Sequence, residues 1–246
     1  MTTVSSVISE ELTILKEGRL TLTGLLPWSS NYTFLGQVSL GNAQMAVVYK
    51  PIRGERPLWD FPRGTLARRE VAAYELSAAL GWELVPATVL RSGPHGLGSV
   101  QRFVAVDQEA HFFTFHQDPA FRHVLQALAL FDIIANNADR KAGHCLRAGQ
   151  GRIIAIDNGL CFHTEPKLRT VIWDFAGEPI PFNLEADLRR LSVDLADAHS
   201  QIGRHLAPLL SNAEIQALRA RLDALLKAGH FPHPPEDRRP YPWPLV

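Results

Sequence analysis

The chain has 246 residues, of which 46% are hydrophobic and 20% charged, and its 25 basic and 25 acidic side chains give a formal net charge of +0. This composition supports a sizeable core and argues against global disorder. The charge balance argues against a nucleic-acid partner, and no apolar run approaches the ~20 residues of a membrane span. The N-terminus lacks the pattern of a secretory signal, so we expect a cytoplasmic protein without a transmembrane segment.

The first hundred residues have the pattern of a strand-rich lobe with one main helix. Apolar spacing predicts a short helix over residues 7–17 and a longer one over 66–80, with Thr65 as N-cap and Gly81 at the end of the second. Alternating apolar residues predict five strands, over 19–24, 32–40, 43–50, 82–91 and 99–106.

Helical patterns dominate from Asp118 onward. Apolar residues at helical spacing predict a buried helix over 118–136, and Ser211 with Glu214 forms a capping-box pattern before the last helix. Further helices are predicted over 184–198, 201–210 and 211–229. The Pro-rich residues 231–246 cannot be helical and are expected to lie extended along the surface.

These elements predict an α+β protein with two lobes. The N-lobe, residues 1–105, is β-rich with one main helix, and the C-lobe, residues 106–246, is helical and carries an acidic hairpin and the Pro-rich tail. We expect a hinge between the lobes near residues 101–107, where Gln101 and Phe103 are candidates to contact a bound cofactor.

The most distinctive stretch holds two acids at the ends of a predicted helix and strand. Asp139 follows the buried helix in NNADRKAGH, and Asp157 follows the apolar run IIAI. In kinase-type phosphoryl transfer, one Asp orients the attacking hydroxyl and another holds the metal ion on the nucleotide phosphates. Each Asp alone is also compatible with an ordinary turn.

Lys50 and Glu70 are the candidate phosphate-binding pair. Lys50 ends the apolar strand MAVVYK, where a charge is poorly explained by solvation, and a lysine there can neutralise nucleotide phosphates. Glu70, early in the second helix, is expected to pair with it, and Glu75 is a lower-ranked partner. The alternatives are a lysine that extends to water and a glutamate that favours the helix dipole.

A turn between the first two strands is a weak candidate for covering phosphates. Ser29, Ser30 and Asn31 lie in it, and their backbone N–H groups and small side chains suit anionic oxygens. Most hairpin turns have a similar composition. The prediction therefore depends on the order of turn, Lys, Glu, hinge and two acids along the chain.

In this order the residues resemble the phosphatidylinositol 3-/4-kinase-like branch of the protein-kinase-like fold. The segment AIDNGLCF, Ala155–Phe162, is similar to the metal-binding segment of type II phosphatidylinositol 4-kinases, and ADR, Ala138–Arg140, to their catalytic Asp-Arg pair. The whole looks most like an uncharacterised actinobacterial group with this domain, and the resemblance spans residues 24–181. It implies a compact two-lobed kinase-like fold, ATP as phosphoryl donor with Mg²⁺, and a lipid, protein or small-molecule hydroxyl as acceptor.

The resemblance also implies roles for individual residues. Asp139 resembles the catalytic Asp, Asp157 the metal-binding Asp, and Lys50 the nucleotide-phosphate Lys with Glu70 as its ion-pair partner. Residues 29–31 resemble the phosphate loop, although they lack its Gly-rich pattern.

One position departs from the family pattern. The family usually has Asn a few residues after the catalytic Asp as a second metal ligand, whereas this chain has His144. Imidazole suits Mg²⁺ poorly, which predicts a single metal ion, a preference for Mn²⁺, or an inactive or repurposed site. A histidine that only hydrogen-bonds Asp139 or Asp157 is an equal alternative. His144 and the missing Gly-rich pattern therefore keep a pseudokinase-like nucleotide-binding or scaffolding module as an alternative function. Nucleotidyl transfer is a third alternative, since kinase-like sites can perform it when ATP binds in the reversed orientation.

Overall fold

A computed structural model describes residues 4–26 and 31–246. The elements of the N-terminal half are α1 (Val4–Glu17), β1 (Arg19–Leu25), β2 (Phe34–Leu40), β3 (Ala43–Pro51), α2 (Leu66–Leu80), β4 (Thr88–Gly93) and β5 (Gly96–Arg102). Strands β1 to β5 form one antiparallel sheet in the order β1-β2-β3-β5-β4, against which α1 and α2 pack. The N-terminal half is thus a sheet covered by helices.

The C-terminal half adds a small sheet and more helices. Its elements are β6 (Val106–His111), α3 (Phe112–Phe115), α4 (Arg122–Ala135), β7 (Cys145–Ala148), β8 (Ile153–Ala155), α5 (Phe182–Ala196), α6 (Gln201–Leu206) and α7 (Asn212–Ala228). Strands β6, β7 and β8 form a three-stranded antiparallel sheet in that order. The predicted α+β class is confirmed, whereas the exact division at residues 105 and 106 stays a prediction.

Strand β3 shows how the period of two directs side chains to opposite faces. Val47 and Tyr49 are fully buried in the core, whereas Val48 and Lys50 face the other way. Pro51 of β3 lies opposite Gly98 of β5. A Cβ atom on Gly98 would lie 2.5 Å from the Lys50 carbonyl oxygen, so glycine permits the close pairing that holds the end of β3.

One end of α2 agrees with the sequence-based expectation and the other differs in part. Gly81 ends the helix with a left-handed φ of 73°, as predicted, and Thr65 occupies the predicted N-cap position, but its side chain makes no capping hydrogen bond. The Thr65 hydroxyl donates to the Pro62 carbonyl oxygen at 2.7 Å and makes no cap. Glu55, from the preceding loop, caps the helix instead. Its Oε1 accepts from the Ala67 N–H at 2.9 Å.

The predicted strand over 82–91 is wrong in its first half, since β4 begins at Thr88. Glu83 has a positive φ of 51°, and Pro86 lacks an N–H to donate to a neighbouring strand. The N–H groups of Leu84 and Val85 donate instead to the Ser77 hydroxyl at 2.9 and 3.2 Å. A side chain of α2 therefore takes the bonds that a strand would have used.

The C-terminal helices follow the predicted pattern closely. Helix α4 is buried along most of its length, and α7 begins with the predicted capping box of Ser211 and Glu214. Residues 119–121 form a separate turn of 3₁₀ helix before α4, and residues 231–246 contain no helix. Among the described residues, none of the helices combines the length and apolar character needed to cross a membrane.

Candidate functional site

A cleft of about 440 Å³ lies between the five-stranded sheet and the three-stranded sheet. Val48 and Phe103 line it from the N-terminal side, and Leu146 and Ile156 line it from the C-terminal side. A volume of this size and a mainly apolar lining are typical of small-molecule sites. The polar residues in its lining include three side chains predicted above, Lys50, His144 and Asp157.

Lys50 holds two carboxylates together at the polar end of the cleft. Its Nζ contacts Oε1 of Glu70 and lies 2.8 Å from Oδ1 of Asp157. Burial opposes its charge, but the carboxylates of Asp157 and Glu70 outweigh burial and raise the pKa of Lys50. Lys50 in turn holds the pKa of Asp157 well below its usual range. The alternative partner Glu75 pairs instead with His205, at 2.6 Å.

Glu70 is fixed from its other side by the segment that carries Asp157. Its Oε2 accepts from the backbone N–H of Asn158 at 3.0 Å. The preceding residue, Arg69, is fully buried, donates to the Cys161 carbonyl oxygen at 2.5 Å and forms an ion pair with Glu214 of α7. Helix α2 is therefore locked onto the C-terminal half in the position that keeps Glu70 on Lys50.

Asp139 lies just beyond the end of α4, close to the cleft. Its backbone N–H donates to Oδ1 of Asn137 at 3.0 Å, and its Oδ2 lies 3.6 Å from Nζ of Lys141. Burial raises the pKa of Asp139 to about 6, with the charge of Asp157 acting in the same direction and that of Lys141 against it. A carboxyl group that titrates near neutral pH suits proton transfer.

The imidazole of His144 has a defined tautomer. Its Nδ1 lies 3.0 Å from the backbone carbonyl oxygen of Asp139, and a carbonyl oxygen can only accept, so Nδ1 carries the proton. Burial lowers the pKa of His144 to about 4, although the charge of Asp157 opposes this. The neutral ring therefore presents the lone pair of Nε2 toward Oδ2 of Asp157 at 3.5 Å.

Nε2 of His144 and Oδ2 of Asp157 both carry lone pairs and face each other, and one cation between them can bind both. The two side chains therefore fit a divalent metal ion. Within residues 4–26 and 31–246, His, Cys, Asp and Glu side chains form no group of three or more that could hold a metal ion.

A buried ion pair that the sequence analysis did not identify supports the loop around Asp139. Arg140 and Asp132 are both fully buried, and the Arg140 Nε lies 3.1 and 3.0 Å from the two Asp132 oxygens. Arg140 also donates to Oδ1 of Asn158 at 2.6 Å and to the Ile156 carbonyl oxygen at 2.8 Å. One guanidinium thus links α4, the Asp139 loop and the Asp157 segment. The sequence feature that could have revealed this ion pair is the single acid, Asp132, within the otherwise apolar helix segment ALFDIIA.

The remaining predicted residues lie at different distances from these groups. Gln101 and Phe103 line the cleft, and the Gln101 amide also donates to the Thr88 hydroxyl at 2.9 Å. Asn31 Oδ1 accepts from the backbone N–H of Arg56 at 2.7 Å, which uses it to hold a loop. Ser29 and Ser30 lie outside the described residues.

The C-terminal segment returns to this site, which the sequence did not predict. The Leu245 carbonyl oxygen accepts from the Ala142 N–H at 2.8 Å, and Val246 lines the cleft. Farther back, the Pro240 carbonyl oxygen accepts from the backbone N–H of Thr170 at 3.0 Å. The tail therefore forms a strap across the loop that carries Asp139 and His144.

Deleting residues 241–246 is expected to destabilise the protein and to loosen this loop. The deletion leaves the Ala142 N–H without its acceptor and should lower the free energy of unfolding by about 1–3 kcal/mol. Urea titration measures this change, and hydrogen exchange should show faster exchange at residues 140–146. Trp243→Ala, at a side chain that is 74% exposed, is the control and should change both quantities little. Equal hydrogen exchange at residues 140–146 in the deletion variant and the full chain would show that the tail does not restrain this loop.

Comparison with solved structures identifies the fold. No family model matches the chain. It is similar to the proinflammatory kinase CtkA of Helicobacter pylori, with a TM-score of 0.56 and 12% identity over 88% of this chain and 94% of that chain. It is also similar to the Golgi casein kinase solved with Mn and ADP bound, with a TM-score of 0.55 and 14% identity over 92% of this chain and 76% of that chain.

The chain therefore has a kinase-like fold, with an antiparallel-sheet lobe and a helical lobe. It belongs to the family of Protein Rv2133c of Mycobacterium tuberculosis (strain ATCC 25618 / H37Rv). The two are 40% identical over 269 residues, which cover 96% of this chain and 95% of that protein.

Proposed function

We propose that this protein is an ATP-dependent phosphotransferase that acts on a hydroxyl acceptor. The proposal is carried by Lys50, which contacts both Glu70 and Asp157 at the polar end of the cleft. A lysine positioned by a helix glutamate, beside an acid that follows a strand, is the arrangement that kinase-type phosphoryl transfer requires. Gln101 and Phe103, on the cleft wall, are proposed to contact the nucleotide.

The proposed reaction assigns one task to each side chain. The acceptor oxygen attacks the γ-phosphorus of ATP, the bond to the β–γ bridging oxygen breaks, and ADP leaves. The acceptor proton passes to the Asp139 carboxylate, whose pKa of about 6 suits this transfer. Lys50 binds the phosphates, Glu70 orients Lys50, and Lys141, 3.6 Å from Asp139, adds positive charge beside the transferred group.

Asp157 and His144 are proposed to hold a divalent cation. When bound, such a cation neutralises charge on the phosphate oxygens. Its protein ligands would be Oδ2 of Asp157 and Nε2 of His144, and an imidazole ligand favours Mn²⁺ over Mg²⁺.

Within this class, we propose the phosphatidylinositol 3-/4-kinase-like type. The proposal is supported by the segment AIDNGLCF and its resemblance to the metal-binding segment of type II phosphatidylinositol 4-kinases. A lipid, protein or small-molecule hydroxyl is compatible with it. His144, in place of the family's Asn, favours a second candidate, a nucleotide-binding module that transfers no phosphoryl group.

The test is transfer of label from γ-labelled ATP with Mg²⁺ or Mn²⁺ to phosphatidylinositol vesicles, an unstructured protein and small polyols. We expect transfer by wild type and by the control Asp237→Asn, an exposed acid of the tail, but not by Asp157→Asn. Transfer should be faster with Mn²⁺. Thermal stabilisation by nucleotide without any product would favour the second candidate, and label transferred to protein from the α-phosphate would indicate nucleotidyl transfer.

A further inference from the structure

A second cavity, of about 450 Å³, lies in the C-terminal half, in a part of the chain that the proposed reaction does not use. It lies between the end of α4, residues 166–173, helix α7 and residues 230–238 of the tail. Its volume is within the range of small-molecule sites.

The lining of this cavity combines an apolar surface with positive charge. The apolar part includes Trp173, Leu225 and Phe231, and the cationic part consists of Arg221 and Arg238. Two histidines, at positions 230 and 233, also line it. No Asp or Glu is among its lining residues, and the neighbouring Asp237 pairs with Arg238 at 3.3 Å. An occupant that matches this lining has an apolar body and one negative charge.

Arg221 adds an independent observation. Its Nε and Nη1 donate to the carbonyl oxygens of Ile134 and His163 at 2.9 and 3.1 Å, whereas its Nη2 is buried without an acceptor. Burial lowers the pKa of Arg221 to about 10. A buried guanidinium nitrogen without a partner is uncommon in native proteins, and a bound anion is a regular explanation for such a group.

The cavity is also connected to the segment that follows Asp157. Asn136, at its wall, donates from its side-chain amide to the carbonyl oxygens of His163 and Glu165, and accepts from the Lys167 N–H at 2.8 Å. The same wall contains Trp173, which donates to the Pro240 carbonyl oxygen at 3.2 Å. An occupant would therefore contact residues 166–173 and the tail together.

We propose that this cavity binds a small amphiphilic carboxylate, whose apolar chain packs on Trp173 and Phe231 and whose carboxylate is held by Arg221 and Arg238. The cation set supplies the charge complementarity, and the buried apolar surface supplies most of the affinity. This ligand site is independent of the proposed phosphotransferase activity.

The experiment is calorimetric titration of the full chain with decanoate, and with decanol and decylamine as uncharged and cationic analogues. Decanoate is expected to bind at least 5-fold tighter than decanol, and decylamine to bind most weakly. Hydrogen exchange with decanoate should show protection at residues 166–173 and 230–238. Equal affinity for decanoate and decanol would overturn the proposal.

Variants on α7 and in the tail locate the site. Arg221→Gln and Arg238→Gln are each expected to weaken decanoate binding about 5- to 10-fold without changing decanol binding, a loss of about 1–1.4 kcal/mol. Arg219→Gln, on the same helix outside the cavity lining, is the charge-matched control.

A second pair of variants does not depend on the arginines. Ala224→Trp fills the cavity and should abolish decanoate binding, whereas Ala220→Trp, one turn earlier and outside the lining, should not. Undiminished decanoate binding by folded Ala224→Trp would overturn the proposal even if Arg221→Gln failed to fold.

Discussion

Asp139→Asn is expected to lower the rate of phosphoryl transfer by about 10²- to 10⁴-fold, because the amide cannot accept the acceptor's proton. Nucleotide affinity should change little, since Lys50 and Asp157 are untouched. Single-turnover transfer and nucleotide titration together measure the two effects. A loss of nucleotide affinity as large as the loss of rate would show that Asp139 acts in binding instead.

The same variant should be more stable than wild type. The folded-state pKa of Asp139 is raised from 3.8 to about 6, so ionising this group is less favourable in the folded chain than in the unfolded chain. Its carboxylate therefore destabilises the fold at pH 7. Because the side chain is 28% exposed, we expect a gain on the order of 1 kcal/mol in Asp139→Asn.

The pH dependence provides a separate check. The stability contributed by protonated Asp139 is fully present below pH about 4 and is lost as the pH rises through about 6. The difference in free energy of unfolding between Asp139→Asn and wild type should therefore appear over this range and stay constant above it. A residue with only a structural role would lose stability on substitution at every pH.

Local patterns in the sequence were sufficient to find the candidate chemical groups. Asp157 follows an apolar run and Lys50 ends one, so the change from apolar to charged residues places each at the end of a strand. Glu70, early in α2, was a candidate partner of Lys50 ahead of Glu75, and the structure brings the two into contact. Each residue alone is also compatible with an ordinary structural role, so the assignment depended on the order of these residues along the chain and on the resemblance of AIDNGLCF to a kinase segment.

The interactions that hold these groups in place are long-range and could not be predicted in the same way. Arg69 pairs with Glu214 across 145 positions, and the Leu245 carbonyl oxygen bonds to Ala142 from the far end of the chain. A local rule also failed at Thr65, because Glu55 from an earlier loop takes the capping role. Partner choice of this kind depends on tertiary packing, which a single sequence does not reveal.

The buried pair of Asp132 and Arg140 leads to the largest expected effect on stability. Asp132→Asn removes the only carboxylate that pairs with Arg140 among the described residues, and so leaves a guanidinium charge buried without compensation. Breaking a buried ion pair in this way costs about 3–5 kcal/mol. Urea titration of the free energy of unfolding is the measurement.

A surface ion pair and a double variant make this prediction specific. Glu185→Gln, which removes the half-buried partner of the exposed Arg189, is the control and should cost under about 1 kcal/mol. Asp132→Asn combined with Arg140→Gln should be less destabilised than the sum of the two single variants, because the double variant no longer buries a lone charge. Simple additivity, or a loss under about 1 kcal/mol in Asp132→Asn, would show that this pair does not hold the Asp139 loop to the Asp157 segment.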